Sequence, residues 1–152
     1  MKLAEALNLR SYLIKQIAEL RRRLENSVKI QEGEEPLDSA EELLKELDPK
    51  IEQLHRLVYQ INLTNTRTID EGKSITELLA ERDALTNRTQ ILNDCLQRLT
   101  ELHSRYRADE IRFVRTIDPD FFRERYNKES GKLRQLNLRI QMLGWITDLI
   151  EE

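Results

Sequence analysis

Apolar residues recur at alternating three- and four-residue spacing in four separate stretches, and that repeat leaves this chain few folds to choose from. Leu3, Leu7, Ile14, Ile17, Leu24 and Val28 follow one stripe, and Leu44, Leu47, Ile51, Leu54, Val58 and Ile61 a second. Ile75, Leu78, Leu85, Leu92, Leu96 and Leu99 give a third, and Phe122, Tyr126, Leu133, Leu136, Ile140 and Leu143 a fourth. Side chains so spaced stand on one face of an α-helix, and that face must leave water. The expectation is all-α: an antiparallel bundle of about four long helices forming a single domain over residues 1–152.

Composition agrees, with 39% hydrophobic and 35% charged residues but only four glycines and three prolines. A net charge of -3 gives the whole chain no electrostatic reason to seek nucleic acid or an anionic membrane. Cys95 is the single cysteine, which excludes an internal disulfide and suits a reducing compartment. Met1-Lys2-Leu3-Ala4-Glu5 leads straight into a charged amphipathic segment, so the expected location is cytoplasmic. The longest apolar stretch, about Met142 to Ile146, is far too short for a transmembrane segment.

Turn and cap residues divide the stripes. The first helix is expected from Leu3 to Glu25, followed by a short strand at Val28–Gln31 and a breaker at Glu32-Gly33-Glu34-Glu35-Pro36. Ser39 is placed to cap the second helix, which Asp48-Pro49 should kink or interrupt. A turn centred on Gly72 occupies Ile69 to Lys73, and Ser74-Ile75-Thr76-Glu77 matches a capping box opening a helix that should reach Ala108. A second strand is expected at Ile111–Ile117, pairing with the first. Asp118-Pro119 opens a fourth helix running almost to Glu152, with Gly131 and Gly144 admitting close helix contacts.

Polar residues interrupt the stripes at Arg10, Arg21, Asn65, Arg82, Thr89, His103, Glu129 and Thr147. A buried, unpaired guanidinium costs several kcal/mol, so Arg10 and Arg82 need acceptors, with Glu5, Asp70 and Asp83 at hand. Two roles are open to this layer. It serves as internal ion pairs and register devices, or Arg10, Asn62, Asn65, Arg82 and Asp83 form a pocket for a small anionic ligand.

Catalytic motifs are missing: there is no glycine-rich phosphate loop, Gly-x-Ser-x-Gly elbow or His-Glu-x-x-His pair, and no catalytic residue, cofactor or metal is implied. Carboxylate acid/base chemistry stays open, since the pairing of the many acids in space is not legible. Glu52-Gln53-Leu54-His55 has di-iron spacing, but Thr100 stands three before the other histidine, His103, so Glu52 and His55 read as a surface pair.

Charge is uneven, with nine acids against two lysines from Ile30 to Glu52. Arg105, Arg107, Arg112 and Arg115, interleaved with Tyr106 and Phe113, make a weak nucleic-acid patch that Asp109 and Glu110 spoil, and no nucleic acid is expected.

Several segments resemble one family: Lys2-Leu3-Ala4-Glu5-Ala6-Leu7-Asn8, Val28 to Pro36, Ile61-Asn62-Leu63-Thr64-Asn65, Leu78 to Leu85, and Tyr106 to Val114. Together they are similar to small bacterial proteins labelled septicolysin-like, a domain of unknown function. The resemblance implies a bacterial origin and a helical fold without an assigned activity. The label suggests a cholesterol-dependent pore-former, whereas the chain lacks the alternating strands from which a membrane barrel is built.

The leading expectation is a structural or interaction protein that self-associates as a homo-oligomer. Ala6, Leu13 and Leu20 beside the first stripe, and Leu138, Met142 and Leu149 beside the fourth, either serve that contact or pack within the monomer. The alternatives are the small anionic-ligand binder or enzyme, and a membrane-active protein.

Overall fold

The structure, a computed structural model, describes residues 1–101 and 111–152. Its elements are α1 (Leu3–Ser27), α2 (Ala40–Arg67), β1 (Ile69–Asp70), β2 (Lys73–Ser74), α3 (Ile75–Thr100) and α4 (Pro119–Ile146). The fold is all-α and bundle-like, as the stripes predict. The chain forms two compact units, one of Met1–Ile75 with Met142–Glu152 and one of Thr76–Gln141.

In the first unit α1 and α2 lie antiparallel. Arg23 pairs with Asp38, Leu20 packs with Leu43 and Leu47, and Lys50 donates to Gln16, so one number falls as the other rises. Lys2 N–H donates to Glu5 at 2.7 Å, closing the first turn of α1, and Ser39 Oγ accepts from the Glu42 N–H at 3.5 Å at the start of α2. The segment between them is tethered by a two-pronged ion pair, Arg23 Nη2 to Asp38 Oδ1 at 2.7 Å and Nε to Oδ2 at 3.3 Å. Val28–Gln31 is therefore not a strand but exposed, irregular chain leading to a turn at Gly33 with φ 90°.

The buried row of α1 differs from the expected one. Leu3, Ala6, Leu13 and Leu20 are buried, with Leu13 1% exposed, while Ile14 is 49% exposed and Val28 lies in solvent. Two apolar rows run one residue apart on α1: Leu3 of the expected stripe is buried, and Ile17 and Leu24 pack at the edge of the core, while Ile14 and Val28 stay out. Of the polar members of that stripe, Arg21 is exposed and Arg10 half-buried. On α2 Leu47 and Ile61 of the expected stripe are buried, but Leu43 and Leu57 are buried beside them while Leu44 and Ile51 stay exposed.

Pro49 does not interrupt α2, which is continuous from Ala40 to Arg67. Pro49 and Lys45, whose carbonyl the missing N–H would have used, both lie on the exposed face where water can serve that carbonyl. After α2 the turn holds as expected. Glu71 (φ 47°) and Gly72 (φ 83°) are both left-handed, the geometry of a type I′ turn, and they close β1 on β2 in a small antiparallel ladder of Ile69 with Ser74 and Asp70 with Lys73.

The expected fourth helix ends at Ile146, short of Glu152. Backbone groups beyond it pair elsewhere: Leu3 N–H donates to Thr147 O, Leu149 N–H to Met1 O, and Lys2 bridges Asp148 in antiparallel fashion. Leu149 is buried there. Gly144 packs on α1, since a Cβ would stand 3.6 Å from the Ala4 Cβ, whereas Gly131 would meet only the end of Arg134 at 3.9 Å and owes nothing to close packing.

In the second unit Arg88 reaches Glu129 and Arg115 Nε donates to Leu99 O at 2.9 Å, so α3 and α4 also run antiparallel. Leu78 and Leu92 on α3 and Leu136 on α4 are buried, as their stripes require; Ile75 and Leu143, which belong to the first unit, are buried as well. Asp118 Oδ1 accepts from the Asp120 N–H at 2.9 Å, capping α4 with Pro119 at its first position. Residues 111–117 form no strand. They are exposed and unpaired with any ladder, because β-branched content without a neighbouring strand leaves backbone groups to water. α3 is described to Thr100; Ala108, its expected end, lies outside the described residues.

Candidate functional site

Side chains left outside the core define what this protein can offer a partner. On α2 the core takes Leu43, Leu47, Leu57 and Ile61, and a second apolar row remains beside it. Leu44, Ile51 and Val58 repeat every seven residues; Ile51 is 42% exposed and Tyr59 at the edge 55%. Ile51, Leu54, His55, Val58, Tyr59 and Asn62 line a shallow, mostly apolar groove along the helix. Seven-residue spacing keeps such a row on one face, rotating by only about 20° per repeat.

A polar row runs beside it at the same period: Glu41, Asp48, His55 and Asn62, all exposed. Glu41, Asp48 and Asn62 make no side-chain hydrogen bond or ion pair among the described residues, and His55 Nδ1 stands 3.8 Å from Glu52, the surface pair its spacing predicts. Sequence reasoning assigned Leu44, Ile51 and Val58 to the core and missed this face. The doublets Leu43-Leu44 and Leu57-Val58 were the available signal, because they widen the apolar stripe beyond what one facing helix covers.

The polar layer is distributed as follows. Arg10, Asn62 and Asn65 belong to the first unit, Arg82 and Asp83 to the second. Arg82 Nη2 donates to Asp83 Oδ1 at 3.4 Å, the acceptor expected for it. Arg10 is half-buried and has no acceptor among the described residues, while Glu5 is engaged by the Lys2 backbone. Asn65 is half-buried and Asn62 exposed at the groove. Arg21 is exposed and bound to Glu25 at 2.8 Å. Thr89 and Glu129 are buried, and Glu129 meets Arg88 at 3.4 Å and Lys132 at 3.6 Å. Burial pushes the Glu129 carboxyl up, but the Lys132 and Arg88 charges outweigh it and hold it below the usual carboxylate range. His103, Arg105, Tyr106, Arg107, Asp109 and Glu110 lie outside the described residues.

Of the positions considered for self-association, Ala6, Leu13, Leu20 and Leu149 are consumed inside the monomer, leaving Leu138 and Met142 exposed. No described helix is long and apolar enough to cross a membrane.

The class is thus an all-α protein of antiparallel helical hairpins with an unpaired face on α2. The chain belongs to a family of unknown function, DUF6847, whose match spans residues 10–149. It is also similar to a solved structure described as a functionally unknown conserved protein from Corynebacterium diphtheriae, with 35% identity, a TM-score of 0.91 and 99% of each chain covered. No curated protein matches it.

Proposed function

We propose that this protein is a cytoplasmic interaction module that works by self-association, not by catalysis. The observation that carries the reading is the row of Leu44, Ile51 and Val58, the first two exposed and the third half-buried, on a helix whose other face already fills the core. A long apolar row beside a satisfied core is what a helical partner covers. Light scattering across a range of protein concentrations tests it: a mass above one chain, falling on dilution, is expected, and a strictly monomeric mass at high concentration overturns it.

A second reading takes Arg10 as the anchor of a small anionic ligand, with Asn62 and Asn65 of the same unit as further polar groups. Its support is that Arg10 is half-buried yet has no acceptor among the described residues. Melting in the presence of phosphate, with Arg10→Gln as control, tests it; an identical shift in both proteins counts against it. Membrane activity of the septicolysin-like kind is a third reading, answered by whether the purified protein lyses cholesterol-containing vesicles.

A further inference from the structure

We infer that the partner of the α2 face is α2 of a second copy, packed antiparallel about a two-fold axis through Ile51; this rests on the self-association reading above. The geometry follows from two rows of equal period. Leu44, Ile51 and Val58 are spaced symmetrically about Ile51, so reversing one helix against the other sets Ile51 on Ile51 and Leu44 on Val58 of the second copy. Apolar residues meet only apolar residues along a contact about 21 Å long, at 1.5 Å per residue.

The polar row decides the direction. Glu41 and Asp48 occupy its first half and His55 and Asn62 its second. In the antiparallel register Asp48 arrives within one residue of the level of His55 of the second copy, about 1.5 Å along the axis. Glu41 meets Asn62 in the same way. Each carboxylate is offered an N–H donor, and twofold symmetry repeats both pairs. A parallel two-fold would instead carry the polar rows of the two copies to opposite edges of the seam, where Asp48 and His55 would not meet across it. Among the described residues, Glu41, Asp48 and Asn62 of this row have no side-chain partner.

Glu52 flanks the row and accepts from no second chain in this arrangement; it stays with His55 on the outer edge, 3.8 Å away. Pro49 and Lys45 turn away from the contact, so the missing N–H of Pro49 faces water there too.

The test uses the full chain with Cys95→Ser, so that no native thiol competes. Ile51→Cys is expected to form an intermolecular disulfide under mild oxidation, while Gln53→Cys, on the far side of the helix, does not. Ile51→Lys should weaken association at least about tenfold, and so should His55→Asp, which sets acid against acid. Combining His55→Asp with Asp48→His exchanges the partners and should restore association. If the unaltered chain is monomeric, the self-association reading itself fails. If it associates but Ile51→Cys does not cross-link and Ile51→Lys changes nothing, association runs through another surface and this inference alone falls. Cross-linking at Ile51 without rescue by the exchange overturns the antiparallel polar pairing.

Discussion

The backbone N–H of Ile150 donates to Oγ1 of Thr64 at 2.9 Å, joining α2 to a segment 86 residues away in sequence. The same hydroxyl donates to Gln60 O at 2.8 Å, so a fully buried side chain uses both its hydrogen and a lone pair. Thr64→Val keeps the shape and leaves the Ile150 N–H without its acceptor. The expected loss is about 1–3 kcal/mol in urea unfolding, and Thr64→Ser, which keeps the hydroxyl, should recover part of it.

The choice between the two rows of α1 can be read from paired truncations. Leu13→Ala removes a side chain that is 1% exposed and should cost about 2–5 kcal/mol. Ile14→Ala, its immediate neighbour, should change stability by less than about 1 kcal/mol, because alanine's better helix propensity offsets what little packing is lost. Equal losses in thermal denaturation would contradict the burial described for α1.

At the β1–β2 turn, Gly72→Ala forces a methyl-bearing residue to hold φ 83° and should destabilise by about 1–2 kcal/mol. Glu71, at φ 47°, is a residue poorly suited to its place. Glu71→Asn yields Asn-Gly, the favoured type I′ pair, and should raise the melting temperature.

Hydrogen bonding and charge from Arg23 hold the Asp38 carboxyl below its ordinary range, against a smaller opposing effect of burial. A lowered carboxylate pKa means the tether contributes fully above the unfolded value, about 4, and is lost as pH falls through the folded value. Hydrogen exchange in residues 28–38 should accelerate on acidification below that range before the helices lose protection. Asp38→Asn should show the faster exchange already at neutral pH.

How much of this was legible in the chain varies by element. The starts of α2, α3 and α4 were, because Ser39, Ser74 and Asp118 are local signals whose chemistry does not depend on what packs nearby. The phase of α1 and α2 was not. Spacing alone does not choose between Leu13 and Ile14, or Leu43 and Leu44, since both rows obey the same period; the outcome rests on which row meets the facing helix. The end of α4 was equally hidden, for Thr147 to Ile150 leave the helix to satisfy partners at Met1, Leu3 and Thr64. Asn62 was legible as a member of the polar layer but not as a neighbour of the α2 groove, and Arg10 as a stripe residue but not as one without an acceptor among the described residues.

The division of the chain into Met1–Ile75 with Met142–Glu152, and Thr76–Gln141, bears on how the protein is made. A ribosome delivers α1, α2 and the small hairpin first, then all of 76–141, and only afterwards the segment after α4 that bonds Thr64 and buries Leu149. During that interval the earliest-synthesised unit waits unfinished while the later one is translated. Nascent chains halted before Met142 should therefore be protease-sensitive in their oldest part.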